Sequence, residues 1–161
     1  MTDFEIQFWA NIVSGVAVAV LFFIFSDFIF KLPNLQGHWN FKITVKDSAY
    51  NPYKELVVDY TALLWQQGNN IYGSGEKIKD KTKDGEERQY IGKNRARIKI
   101  TGYVTKKYFS RSEILIHIEE INEQRTSSTV HLLKKTKKQL NGSYISTIAD
   151  SSGVVVWNQI V

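Results

Sequence analysis

The sequence predicts an all-β protein, a minimal eight-stranded antiparallel up-and-down β-barrel preceded by a single N-terminal transmembrane helix. Three observations carry that prediction. Residues 8–30, FWANIVSGVAVAVLFFIFSDFIF, are apolar almost throughout. From Leu35 onwards the apolar residues recur at every second position, as on strands with one buried face. Turn signals then separate eight such runs at spacings of about 10–15 residues. A closed meander is the economical arrangement, because closure removes both edge strands and eight strands leave room for side chains or one small ligand. A two-sheet sandwich is the alternative; the short connections favour the barrel. The chain divides into residues 1–34, the tail and the helix with its span at about 8–30, and residues 35–161, the barrel.

The helix comes first. Residues 8–26 carry no charge, and Asn11 is the one strongly polar side chain among them. At 1.5 Å per residue the full run reaches roughly 34 Å, enough to cross a ~30 Å hydrocarbon core with some tilt. Phe8 and Trp9 stand where interfacial aromatics stand, and Lys31 and Pro33 close the other end. A buried core helix of this length needs a larger protein around it than 161 residues supply. A cleaved signal peptide would carry a basic start and a small-residue cleavage site, whereas Asp3 and Glu5 precede this run. The acidic tail and the basic residues after the helix place the N-terminus outside and the barrel in the cytoplasm. Ala10/Ser14 and Gly15/Ala19 are small residues at four-residue spacing, which lets helices approach closely in lipid, and Asp27 is an acid near the cytoplasmic end. Gly15, Ala19 and Asp27 are the expected assembly residues.

The strands follow in order. In 38–46, Trp39, Phe41, Ile43 and Val45 share a face, and the turn at Asn51-Pro52 follows. In 55–67, Leu56, Val58, Tyr60, Ala62 and Leu64 share a face, and Gly68-Asn69-Asn70 turns the chain into 71–79. Gly73 and Gly75 in that third strand mark sharp bends. Residues 80–87 form a charged loop. Strand 95–104 sets Ala96, Ile98 and Ile100 against Arg95, Arg97 and Lys99, and strand 112–121 sets Ile114, Ile116 and Ile118 against Glu113, His117 and Glu119. Strand 126–135 ends in the basic run Lys134–Lys138, read as a solvated turn or one touching anionic lipid. Strands 139–149 and 153–161 close the barrel across a turn at 150–153.

Composition sets limits. Residues 35–161 hold twenty basic against thirteen acidic side chains, a net +7. That balance suits lipid head groups, nucleic acid or a phosphorylated small molecule, and equally a solvated surface. The absence of cysteine excludes a disulfide framework, a thiolate metal site and a thiol nucleophile.

Two motifs go beyond pattern. Gly37-His38-Trp39 opens the first strand, and the last two strands read Leu140-Asn141-Gly142-Ser143-Tyr144 and Gly153-Val154-Val155-Val156-Trp157. The first resembles the lipocalin-like arrangement, in which the tryptophan plugs one end of a barrel. An N-terminal anchor followed directly by such a barrel resembles the β-strand-rich, two-transmembrane effectors of bacterial cyclic-oligonucleotide anti-phage signalling (CBASS and related systems). This chain departs from them in having one apolar run, too short to cross twice. The resemblance implies a non-enzymatic effector in the bacterial inner membrane. Its barrel would bind a cyclic oligonucleotide made by a partner synthase, with no DNA or RNA polymer and no further cofactor. Its helices would form homo-oligomers in the lipid bilayer and disrupt it. The alternative readings are a membrane-anchored lipocalin-like binding protein for a lipid or other small ligand, and a protein-docking module.

A cyclic dinucleotide needs cations for its phosphates and π-faces for its bases. Basic residues interleaved with aromatics meet that need: Arg95 and Arg97 on one strand, Lys107, Tyr108 and Arg111 in the following turn, and the rings of Trp65 and Tyr144. Arg95, Arg97 and Lys99 read equally well as an outer barrel face, and Trp65 as core. No phosphate loop, nucleophile elbow or helical metal motif is present. His38, His117 and His131 lie on three separate strands and read as surface residues; no metal site is expected.

Overall fold

The computed structural model describes residues 2–29, 31–107, 110–122 and 125–160, without the side chains of 26–29, 93, 122 and 125. It divides into two units, Met1–Lys31 and Leu32–Val161. The first is one helix, α1 (Asp3–Ile29), with Asp3 and Glu5 in its first turn, where acids complement the helix dipole. Asp3–Phe25 is long and apolar enough to cross a membrane, and none of it is buried within the protein. The side chain of Asp27 lies outside the described residues.

The second unit is a closed barrel of eight antiparallel strands: β1 (Gly37–Asp47), β2 (Val57–Gln67), β3 (Asn70–Lys81), β5 (Arg97–Thr105), β6 (Glu113–Asn122), β7 (Arg125–Thr136), β8 (Gln139–Ser146) and β9 (Ser151–Gln159). Each pairs with the next, and β1 pairs with β9 to close the ring. A ninth, short strand, β4 (Glu87–Gln89), adds to the outer end of β3 at Lys79–Lys81. The two-residue alternation predicts a third strand ending at 79 and a loop over 80–87; the ladder to β4 extends the strand to Lys81. The final turn also shifts. Ser151 pairs with Ser146 and is buried, so the reversal falls at 147–150, where Ala149 and Asp150 take left-handed backbone angles (φ 50° and 44°).

The alternation predicted for β1, β2, β5 and β6 holds: Trp39, Phe41, Ile43, Val58, Ala62, Leu64, Ile98, Ile100, Ile114, Ile116 and Ile118 are all buried inside. The end at which the chain enters is packed solid. Leu35 plugs it, the Trp39 indole donates to the Leu35 carbonyl oxygen at 2.9 Å, and Trp157, Ile71, Val104, Leu133 and Leu140 surround them. Above this plug, Phe41 lies between the rings of Trp157 and Tyr60, with centroids 4.0 and 4.6 Å away and near-parallel planes. The barrel is tight enough that its interior glycines are backbone contacts. A methyl group on Gly142 would strike the Leu132 carbonyl and one on Gly75 the Thr61 carbonyl, so neither position accepts alanine without parting two strands.

Candidate ligand-binding site

The opposite end of the barrel is open. A cavity of about 450 Å³ lies there, within the size range of small-molecule sites. Ile43, Val45, Leu56 and Val58 line its apolar side, Tyr50, Pro52 and Tyr53 of the β1–β2 connection stand at its rim, and Thr129, Tyr144, Ser146 and Ser151 close the far wall. Its chemistry comes from Tyr60, Lys77, Asp80, Arg88, Tyr90 and Glu120.

A β-bulge places two of these. Tyr60 pairs with Lys77 and Asp59 with Lys79, so Ile78 is the extra residue and points outward, 43% exposed. In an unbroken strand Lys77 and Asp80 would face opposite sides; the inserted residue turns both inward. The ammonium of Lys77 lies 3.1 Å from Asp80 Oδ2 and donates to the Tyr90 hydroxyl at 2.9 Å, and that hydroxyl donates to Asp80 Oδ2 at 2.5 Å. Tyr90 is fixed by its own backbone, whose N–H donates to the carbonyl of Ile78 at the bulge. Burial alone would depress the Lys77 pKa, but the Tyr90 hydrogen bond and the negative groups around it, Glu120 and Asp80 included, raise it. The ammonium therefore stays charged. Burial and the bond to Asp80 raise the Tyr90 phenol, and Lys77 partly offsets this. Across the cavity the Tyr60 hydroxyl donates to Glu120 at 3.1 Å, and burial together with that carboxylate pushes its pKa well up. Tyr60 and Tyr90 remain neutral donors.

The result is a polar wall that holds one ion pair, Lys77–Asp80, and a carboxylate, Glu120, that accepts from a phenol, with tyrosine rings at the entrance. Tyr50 and Tyr53 meet edge to face at 5.1 Å. Arg88, exposed on β4 at the rim, forms no ion pair among the described residues. Such a site can hydrogen-bond a polar ring, stack it, and hold one anionic group at the rim.

Of the residues expected at the site from sequence, Tyr144 lines this cavity. Five others stand elsewhere. Arg95 and Arg97 are exposed on the outer wall, Arg95 in an ion pair with Glu76 at 3.4 Å. Lys107 is paired with Glu113 at 2.6 Å, and Arg111 lies exposed at the closed end. Trp65 is outside, stacked on Tyr72 at 6.4 Å, because it sits one position out of phase with buried Leu64. Tyr108 lies outside the described residues. The structure thus does not gather these residues in one place.

One expectation is overturned. His131 is fully buried, not at the surface. It packs against Phe41, Tyr144 and Trp157, and its Nδ1 accepts from the Trp157 indole at 3.2 Å. Burial lowers its pKa to about 3, so it is neutral and carries its proton on Nε2, which has no partner among the described residues. The nearby Tyr144 hydroxyl has no partner in good hydrogen-bond geometry among the described residues; burial raises its pKa, and the Ser151 side chain close by holds back part of the rise.

No group of three His, Asp or Glu side chains among the described residues is placed to hold a metal. Comparison with known proteins finds no matching family, curated protein or solved structure.

Proposed function

We propose that this chain is a membrane-anchored sensor whose barrel binds a small polar ligand at its open mouth. The ligand we favour is a cyclic oligonucleotide second messenger, and its binding would change the self-association of the helices and, through it, the integrity of the membrane. The observation that carries the binding reading is the cavity itself: one half of the barrel is filled, and the other holds Lys77, Asp80, Tyr90, Tyr60 and Glu120 around open space. A carrier of apolar ligands would have an apolar chamber throughout; here the apolar side faces an ion pair, a further carboxylate and phenols. Tyrosine faces suit nucleobases, the carboxylates can accept from exocyclic amines, and Arg88 suits a phosphate. The anchor reading rests on the length and apolarity of Asp3–Phe25.

Calorimetry on the full chain in detergent, with a panel of cyclic dinucleotides, tests the reading. Arg88→Ala should weaken the best ligand by about 1.5–3 kcal/mol, the worth of a charge-assisted hydrogen bond, and Tyr53→Ala should also weaken it through lost stacking. Arg97→Glu, on the outer wall, should leave affinity unchanged. Binding that responds to Arg97→Glu and not to Arg88→Ala would move the site to the wall. Absence of binding across the panel would remove this ligand class.

A further inference from the structure

The basic charge of the barrel is not spread evenly. By sequence, the connections at the closed end hold seven lysines and arginines (Lys106, Lys107, Arg111 and the four lysines of 134–138) against one acid, Glu113. The connections at the mouth, residues 46–56, 79–96, 119–126 and 147–151, hold ten acids against nine bases. Nearly all of the net +7 therefore sits at one end. Arg111 from the β5–β6 connection, Lys135 from the end of β7, and Lys137 and Lys138 from the β7–β8 turn line one shallow depression without an acidic residue. Arg111, Lys137 and Lys138 form no ion pair among the described residues.

The same end receives the chain from the apolar run. The Lys135 ammonium donates to the Asn34 carbonyl at 2.8 Å, Leu35 is fully buried, and Leu32 already packs against the barrel core. Between Phe30, the last residue of the run, and Leu32 there is only Lys31. Two Cα steps span less than about 8 Å, which is about one Debye length at physiological salt. Whatever angle the helix takes, a bilayer crossed by this run lies within electrostatic reach of the barrel's basic end.

We propose that the closed end of the barrel is a docking face for anionic lipid head groups of the bilayer that holds the helix. The proposal rests on the membrane-anchored reading above. Docking of this kind would limit the rotation of the barrel on its short tether and leave the mouth, with its balanced charge, uncommitted to the surface.

The chain has no cysteine, so single labels are readily placed. Asn69→Cys, in the β2–β3 turn at the closed end, and Asp84→Cys, in the loop beyond β3, would each carry a nitroxide on the full chain in nanodiscs containing nickel-chelating lipid. In discs with anionic phosphatidylglycerol, the label at 69 should be relaxed strongly by nickel and the label at 84 should not. The relaxation at 69 should fall by at least about half in zwitterionic discs, in high salt, or in the Arg111→Glu/Lys137→Glu/Lys138→Glu variant, as screening and charge reversal require. A chain that incorporates into discs but whose label at 69 ignores lipid charge and charge reversal overturns the docking face alone. So does a chain in zwitterionic discs that binds a DNA duplex through these residues while anionic lipid has no effect. A chain that incorporates into neither kind of disc overturns the anchor as well.

Discussion

Replacing Trp157 by alanine should cost the barrel about 3–5 kcal/mol, the loss typical of a large aromatic removed from a closed core. Trp157 is fully buried, lies 4.0 Å from the Phe41 ring centroid, meets Trp39 edge to face at 6.4 Å, and supplies the only hydrogen bond to the His131 side chain among the described residues. The substitution opens a cavity beside the plug and leaves the buried Nδ1 without a donor, so transfer, cavity and hydrogen-bond losses act together. Denaturant unfolding of the full chain in detergent, followed by circular dichroism, would measure it. Trp65→Ala, which removes an equally large ring from the outer wall, should cost less than about 1 kcal/mol. Equal losses at the two positions would mean that the plug is not the core of the barrel.

Acid should weaken the barrel through His131. Its pKa is held near 3 by burial, against about 6.5 in an unfolded chain. Above pH 6.5 both states are neutral at this residue and pH has no effect through it. Below that, the unfolded state takes up a proton that the folded state refuses, and stability falls as pH falls. The slope is about 1.4 kcal/mol per pH unit, so roughly 3 kcal/mol is lost between pH 6.5 and 4. His131→Asn keeps an acceptor near the Trp157 indole and removes the titration. Unfolding free energies of the two proteins, measured from pH 7 to pH 4, should converge towards the acid end, with the parent showing the steeper slope. Parallel curves would mean that His131 can be protonated within the fold.

The misread residues share a physical cause. Alternation predicted β1, β2, β5 and β6 because their inner faces are apolar along nearly the whole strand. In β7 the inward residues are Ser127, Thr129, His131 and Leu133, while Val130 and Leu132 point outward, with Leu132 48% exposed. Beside a polar cavity the usual sign of the pattern reverses, and a buried histidine reads as a surface one. Lys77 and Asp80 were hidden by the bulge: an uninterrupted two-residue period groups Lys77 with Lys79 and sets Asp80 opposite. The apolar, exposed Ile78 between two lysines was the available signal. Tyr90 and Arg88 come from a stretch with no strand pattern at all; they join the site through the three-residue ladder of β4 and the bond from Tyr90 N–H to Ile78. The basic end was legible as the run Lys134–Lys138, but its meeting with Arg111 depends on the register of β6 against β7, which sets Glu113 opposite Lys134.

The most direct test of the mouth as the ligand site is photolabelling of the full chain with an azido-substituted cyclic dinucleotide, followed by peptide mapping. If the mouth binds the ligand, the label should fall on the segments carrying Tyr50, Tyr53 and Tyr90, and excess unmodified dinucleotide should suppress it. Label that is suppressed in the same way but falls on 95–111, the outer wall and the turn beyond it, would contradict a site at the mouth.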